Sequence, residues 1–443
     1  MNKKIGNLFK GDKGIWTVFF FLTLISLIEV FSASSTLSYK SHNFMGPIIY
    51  HAGTIVAGVL ITIVTLNIPC RYFKIITPIF IIISYATLLW VLAFGESING
   101  ANRVIQLPGF TFQPSELAKG TMVLATAQIL SAMQRENGQG ADPKSMKFIL
   151  YLVVPAVVLI GLENLSTAVL LFGIVFIMMF LGRVPLAQMG KLTGVLALFA
   201  GIFITLVLTV GGMDNSNDEA SQSGSETTTA VANNAPSEKK SESAVSKLFH
   251  RFGTWRSRLV DREPRPENPK EYNVRDNFQV AHANFAIATS GVIGKGPGNS
   301  TERDYLPQAF SDFIFSIIIE ELGLLGAITV VFLYVILLFR AARIAGRCEN
   351  NFPAFLVMGL ALLLVAQAAI NMMVAVDFGI VTGQPLPLVS KGGTSTLVNC
   401  AYIGAILSVS RSAITVILLF IIPYTLLSFQ FLCIPFHRKL LDY

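Results

Sequence analysis

The sequence predicts an all-α polytopic membrane protein of about ten transmembrane helices, with one large outer loop between helices 7 and 8. Three observations predict it. Hydrophobic residues make up 53% of the 443-residue chain and charged residues 13%, where a soluble domain carries roughly a quarter charged. Apolar runs of spanning length, about 20 residues each, begin near Gly14, Pro47, Lys74, Pro114, Phe148, Ser166, Leu192, Phe313, Ala354 and Thr396. The basic residues also alternate by side. Lys3, Lys4, Lys10 and Lys13 precede span one, Arg71 and Lys74 follow span two, and Arg135, Lys144 and Lys147 follow span four. Arg183 and Lys191 follow span six, and Arg340, Arg343 and Arg347 follow span eight. All fall on one side if the N-terminus is cytoplasmic, as the positive-inside rule requires. The runs must be helices, because backbone in lipid has to satisfy its hydrogen bonds internally.

Residues 1–212 hold spans one to seven. The first lacks a small-residue cleavage site and is expected to be retained; it carries Glu29 in its outer half, followed by Phe31-Ser32-Ala33-Ser34. The outer loop from Gly95 to Lys119 contains Arg103 and leads to Pro114, which suits a first helical position because its missing N–H costs nothing there. Glu116 and Lys119 then share one face at i,i+3, either as a structural ion pair or as substrate contacts. Arg103 at the outer interface suits a pyrophosphate or a lipid headgroup. Spans five and six are joined by a short outer loop with Glu163 and Thr167.

Residues 213–312 form the large extracytoplasmic loop. Its first part, 214–246, is Ser, Asn, Thr, Glu and Ala with hardly any large apolar side chain, a composition that predicts disorder. The chain then turns basic and aromatic, with Arg251, Arg256 and Arg258 beside Trp255, and Pro-rich through Pro269. Phe278, Ala281, Phe285, Ala288 and Val292 repeat at helical spacing, which predicts an amphipathic interfacial helix over 277–293.

Spans eight to ten occupy 313–411. Their approach is a Gly-rich polar loop from Gly294 that contains Asp304 and ends at Asp312, beyond which an apolar helix carries Glu320 and Glu321. A carboxylate inside a membrane helix is costly and marks a functional site or a hydrogen bond to a neighbouring helix. Asp312 stands instead at the water–lipid boundary, where a base can stay ionised and still reach a lipid-linked substrate. Between spans nine and ten, Val381–Ser395 contains two prolines and three glycines and cannot span as a helix; such backbone is tolerated only where it is buried in protein or lines a cavity. Ser390 and Lys391 lie in it and are candidates for substrate contact. The remainder, 412–443, is a further hydrophobic segment ending in His437-Arg438-Lys439. An eleventh span would put that basic tail outside, so the segment is expected in the interface or hairpinned back.

The net charge of +7 follows membrane topology and does not point to nucleic acid. Cys70 and Cys348 fall in inner loops and Cys400 and Cys433 in apolar runs, so the outer loops hold no disulfide framework. No metal-ligand cluster is visible, and a divalent cation is only possible. Glu29, Arg103, Glu116, Lys119, Glu163, Asp312, Glu320, Glu321, Asp377 and Lys391 all fall toward the outer side. A transporter site should sit near the midplane, often on repeated, broken helices, and no internal repeat is detected. The one-sided clustering favours an enzyme working in the outer leaflet.

The segments S-A-S at Ser32–Ser34, G-A-N-R-V-I, F-Q-P-S-E-L-A-K, G-K-G-P-G-N-S, Y-L-P-Q-A-F-S-D-F-I-F, I-I-E-E-L-G and T-G-Q-P-L-P-L-V-S-K-G-G-T-S resemble, in order, the SEDS family (shape, elongation, division and sporulation). The likeness covers about Phe31 to Arg411 apart from the disordered part of the large loop, and is closer to the division members than to the elongation members. It implies a GT-C-like, all-α fold and polymerisation of lipid II, the undecaprenyl-pyrophosphate-linked disaccharide-peptide. It implies Asp312 as the catalytic residue, Glu116 and Lys119 as the acid–base pair of span four, and Arg103 as the substrate-side arginine. Gln279 matches the family's glutamine on the interfacial helix, and with Glu320 and Glu321 is expected to support the site. It also implies a class B penicillin-binding protein transpeptidase and other division proteins as partners. Two departures stand out: the family's E-P-D-L-G-T reads Glu163-Asn164-Leu165-Ser166-Thr167 here, and its Q-S reads His282-Ala283. The rival readings are a lipid II flippase or other transporter, and a scaffold that activates a transpeptidase.

Overall fold

The computed structural model describes residues 10–33, 46–98, 101–107, 110–135, 140–210, 278–306, 309–379 and 382–432. The expectations for 214–246 and for the basic, Pro-rich stretch after it lie outside these residues. Among the described residues seven helices precede the large loop: α1 Lys13–Ala33, α2 Gly46–Asn67, α3 Cys70–Phe94, α4 Pro114–Ala132, α5 Lys144–Glu163, α6 Leu165–Leu181 and α7 Leu186–Val210. α8 Phe278–Ser290 lies within that loop, and α9 Ile314–Ala345, α10 Asn351–Ala375 and α11 Gly393–Leu432 follow it. Every predicted span is present as a helix. Eight of them are long and apolar enough to cross a membrane; α6, at 17 residues, is apolar but shorter, and α4 is the polar one.

Burial explains the polarity of α4. Thr121, Thr126, Gly120, Ala118, Ala125 and Ala127 are all buried along it, so it sits inside the bundle against α3, α6 and α10 and never has to satisfy lipid. Small residues set the close crossings, as is usual where the hydrophobic effect does not drive helices together. Gly120 lies under Tyr402 of α11, where a Cβ would come within 2.3 Å of the ring, and a Cβ on Gly359 of α10 would come within 2.6 and 2.7 Å of Val123 and Met178. α2 packs along α11, with Gly58 against Cys400 and Gly404 against Thr62 and Thr65. Outward-facing side chains such as Phe20, Ile79, Phe199 and Phe332 are exposed, which is what a hydrocarbon solvent permits.

Three features depart from the expected elements. The outer segment before α4 contains a small antiparallel sheet, β1 Glu96–Ile98, β2 Ala101–Leu107 and β3 Phe110–Phe112, in the order β1-β2-β3. α9 is broken at Gly323, whose φ of 69° lies in the left-handed region. α11 continues as backbone helix past Arg411 to Leu432, 40 residues in all.

The two ends of the bundle are tied differently. At one end Arg340 of α9 grips Asp12 with two hydrogen bonds of 2.9 and 2.6 Å, and Arg135 lies 3.5 Å from Asp142. The other end gathers the sheet, the α5–α6 turn, the loop before α9 and the loop 376–392.

Candidate active site

Asp312 ends the loop that delivers α9. It is partly exposed, it stands just before the helix N-terminus, where the aligned peptide dipoles favour negative charge, and its Oδ1 accepts from Ser311 Oγ at 2.9 Å. Its carbonyl accepts from Asn371 Nδ2 of α10 at 2.8 Å. Ser390 Oγ donates to Ser311 O at 2.6 Å, and Lys391 N donates to Phe310 O at 2.9 Å. The two loops singled out from sequence are therefore stitched side by side. Lys391 Nζ lies 4.9 Å from the centre of the Phe310 ring, and burial holds its ammonium below the ordinary lysine range.

The loop 382–392 has no regular secondary structure, and its carbonyls are satisfied one by one. Asn371 Nδ2 donates to Gln384 O at 2.7 Å, Gln367 Nε2 to Pro385 O at 3.1 Å, and Ser26 Oγ to Val389 O at 2.7 Å. Tyr334 Oη donates to Pro387 O. Gln384 itself donates to Thr167 Oγ1, and Ser166 Oγ donates to Thr382 O at 3.1 Å. That is how irregular backbone survives at membrane depth. The α5–α6 turn is thus bonded to this loop through Ser166 and Thr167. Asn164 caps α6 by accepting from Thr167 N at 3.3 Å.

Glu116 and Lys119 form the ion pair that their spacing allowed, at 2.8 Å, with side chains 1% and 0% exposed. Lys119 Nζ also donates to Gln367 Oε1 at 2.6 Å. Lys119 therefore reaches the loop through Gln367 and Pro385. Ser390 is likewise buried and occupied, its Oγ accepting from Leu386 N at 2.8 Å. Arg103 lies in β2, with only its backbone described, and Gln279 is exposed on α8.

Glu320 and Glu321 are fully buried, and they hold the Gly-rich loop. Glu320 Oε1 accepts from Lys295 Nζ at 2.5 Å, Thr301 N at 3.0 Å and Thr301 Oγ1 at 2.8 Å, while Oε2 accepts from Glu302 N at 3.3 Å and from Ser300 Oγ. Glu321 accepts from Gly298 N at 2.9 Å, Ser300 N at 3.3 Å and Ser32 Oγ. Arg303 Nη1 spans this group, donating to Ser32 Oγ and Gly298 O at 2.8 Å each. The break at Gly323 is what admits the loop: Lys295 N and Gly296 N donate to the carbonyls of Glu320 and Glu321 at 2.9 and 2.8 Å. Glu29 is also buried, and neither of its carboxylate oxygens has a hydrogen-bond partner among the described residues.

Asn371, Gln367, Gln384 and Arg303 were not singled out from sequence. Two of them had a signal: Gln367 and Asn371 are amides at i,i+4 in an otherwise apolar helix, a pattern that marks one polar face. Among the described residues, no group of three or more His, Cys, Asp or Glu is placed to hold a metal ion.

Helices of spanning length, with polar loops gathered at one end of the bundle, define a polytopic membrane protein. The family model described as "Cell cycle protein", covering FtsW, RodA and SpoVE, matches residues 12–215 and 244–415, and the chain belongs to that family. The probable peptidoglycan glycosyltransferase FtsW of Marinomonas mediterranea is 29% identical over 415 residues, which cover 90% of this chain and 87% of its own. That of Coxiella burnetii is 28% identical over 413 residues, covering 89% and 95%. Among solved structures, a chain of a peptidoglycan synthase complex that coordinates polymerization and crosslinking aligns with a TM-score of 0.66 at 21% identity, over 91% of this chain and 98% of its own. The rod shape determining protein RodA of Thermus thermophilus aligns at 0.58 and 20% identity, over 92% and 99%. At those identities the two structures speak for the fold, and they carry the all-α polytopic architecture over nearly the whole chain.

Proposed function

We propose that this chain is a peptidoglycan glycosyltransferase that polymerises lipid II at the outer face of the cytoplasmic membrane, in cell division, with Asp312 as general base. The observation that carries the reading is the setting of Asp312: a partly exposed carboxylate at a helix N-terminus, locked by Asn371 and by the neighbouring loop through Ser311 and Ser390. Membership of the family and the names of the relatives support the reaction class. The 4-hydroxyl of one disaccharide attacks the anomeric carbon of the growing strand, its proton passes to the Asp312 carboxylate, and undecaprenyl pyrophosphate leaves. A sugar hydroxyl is a poor nucleophile at neutral pH, and a positioned base contributes roughly 10²–10⁴-fold. Cations stabilise the leaving pyrophosphate; Lys391 and Arg103 are the candidates, while buried Glu116 and Lys119 shape the wall.

The orientation that goes with this reading has the N-terminus cytoplasmic, residues 213–312 outside, and the end holding Asp312 outward, from the distribution of Lys and Arg in the short loops. A class B penicillin-binding protein is the partner that would crosslink the product. The test is strand synthesis from lipid II by the purified protein in liposomes. Wild type is expected to polymerise, while Asp312→Asn and Asp312→Ala fold and bind lipid II but make no strands. Asp312→Glu, which moves the base by about one methylene, should be badly impaired, since a misplacement of about 1 Å can cost about 10²-fold. Long strands made by folded Asp312→Asn at near wild-type rate would move the base elsewhere, with Glu116 next to test. Lipid II crossing the bilayer without strand synthesis would favour a flippase.

A further inference from the structure

The interfacial helix α8 makes two polar links, and each reaches a loop that borders the site. His282 Nδ1 lies 2.5 Å from Glu302 Oε2, and the imidazole is stacked on the Tyr305 ring at 5.2 Å with 7° between the planes. Two residues on, Asn284 Nδ2 donates to Asp377 Oδ2 at 3.4 Å, in the segment that leads to Ser390 and Lys391. A carboxylate can only accept, so His282 Nδ1 carries the proton in the first link. The His282 and Glu302 side chains are 12% and 15% exposed, so the bond is largely shielded from water.

Glu302 is the point where the loop is held from both sides. Its backbone N–H is bound by Glu320 of α9 at 3.3 Å, its carbonyl accepts from Tyr305 N and Leu306 N at 3.1 and 3.0 Å, and its side chain goes to His282 of α8. From this turn the chain passes through buried Leu306 and Ala309 to Ser311 and Asp312. Without the hydrogen bond from His282 the loop keeps its ties to α9 and is held to α8 only by the stacking on Tyr305.

We propose that His282 is a positioning residue for strand synthesis: by clasping Glu302 it fixes the loop that delivers Asp312. The proposal rests on the reading of Asp312 as the base. His282 touches no reacting atom and acts only through Glu302.

The experiment uses the full chain in lipid nanodiscs, comparing wild type with His282→Ala, Glu302→Ala, the double variant and His282→Gln, whose amide can donate the same bond. Polymerisation kinetics, melting temperature and amide hydrogen exchange over 294–306 are measured together. Each alanine variant is expected to lower kcat by about tenfold or more, with KM for lipid II within about twofold and exchange over 300–306 raised. The double variant should be no worse than His282→Ala, because Glu302→Ala removes only the hydrogen bond that His282→Ala has already lost together with the Tyr305 stacking. His282→Gln should recover most of the rate. Full kcat in His282→Ala, additive losses in the double variant, or a fall in melting temperature with kcat per folded molecule unchanged would each overturn the proposal. An active Asp312→Asn would sink the base reading alone. The clasp would still be judged by coupling, rescue and exchange, none of which depends on which residue takes the proton.

Discussion

Lys119→Met separates the two readings of the Glu116–Lys119 pair, because methionine nearly keeps the shape and removes the charge. In the structure Lys119 Nζ gives hydrogen bonds of 2.8 Å to Glu116 Oε1 and 2.6 Å to Gln367 Oε1, and Glu116 Oε2 has no hydrogen-bond partner among the described residues. The substitution therefore leaves Glu116, 1% exposed, without a donor on either oxygen. Removing one partner of a buried ion pair costs about 3–5 kcal/mol, whereas replacing both by neutral groups is often close to neutral. Lys119→Met should accordingly lower the apparent melting temperature in detergent by on the order of 5–10 °C, taking about 2 °C per kcal/mol for a large domain. Glu116→Gln should cost a similar amount, because the ammonium is then uncompensated, and the double variant Glu116→Gln/Lys119→Met should regain most of the loss. The assay is the fraction of monodisperse protein left after a heat step, read by size-exclusion chromatography. If Lys119→Met melts within about 1 °C of wild type yet makes no strands, the pair serves the substrate directly and the structural account is wrong.

Gly294 has φ +83°, and a Cβ on it would lie 2.3 Å from Glu321 O and 2.4 Å from Gly323 N, so Gly294→Ala should expel the loop from the α9 break and abolish strand synthesis. Gly298 has φ +84° with open space around it; Gly298→Ala should carry only backbone strain of about 1–2 kcal/mol and keep most activity, and equal behaviour of the two variants would refute the close-approach argument. Deleting Asn217–Glu238 should leave expression and activity intact, since loop length costs little and the family match skips 216–243; normal expression with lost activity would give the segment a role. With the four native cysteines replaced by serine, an impermeant thiol reagent on intact cells should label Ser223→Cys and spare Asn350→Cys, and the reverse pattern would invert the topology.

The helices were legible because each span advertises itself through its own residues. Apolar runs report spans directly, and the 278–292 repeat reported α8. Phe278, Phe285 and Val292 turn outward, while Ala281, Ala283 and Ala286 are buried, because only small side chains let α8 lie close on α9. The sheet before α4 escaped notice since strands of three residues, Glu96–Ile98 and Phe110–Phe112, are too short to show a period. Arg411 read as the end of a span because a charge interrupts the apolar pattern there, yet the helix runs on. Contacts far apart in sequence leave no local mark at all: Arg303 and Ser32 are 271 positions apart.

Three acids near one another in sequence end in two different occupations, and burial decides which. Glu320 and Glu321 both lie at 0% exposure, where an ionised carboxylate without donors is costly. Each is surrounded by donors from the Gly-rich loop, and a group so occupied has little freedom to take a proton from a substrate. Their work is to hold the loop in the break that Gly323 opens. Asp312 differs in exposure: its backbone is clamped by Asn371, its Oδ1 accepts from Ser311, and the residue is partly exposed. Rigid backbone with an accessible side chain is what a general base needs, since proton transfer demands both a fixed position and contact with the reacting hydroxyl. Glu320 and the bond from His282 meet at Glu302, while Glu321 holds the same loop a little earlier, at Gly298 and Ser300. The placement of Asp312 is therefore a property of the whole loop, anchored to α9 on one side and to α8 on the other.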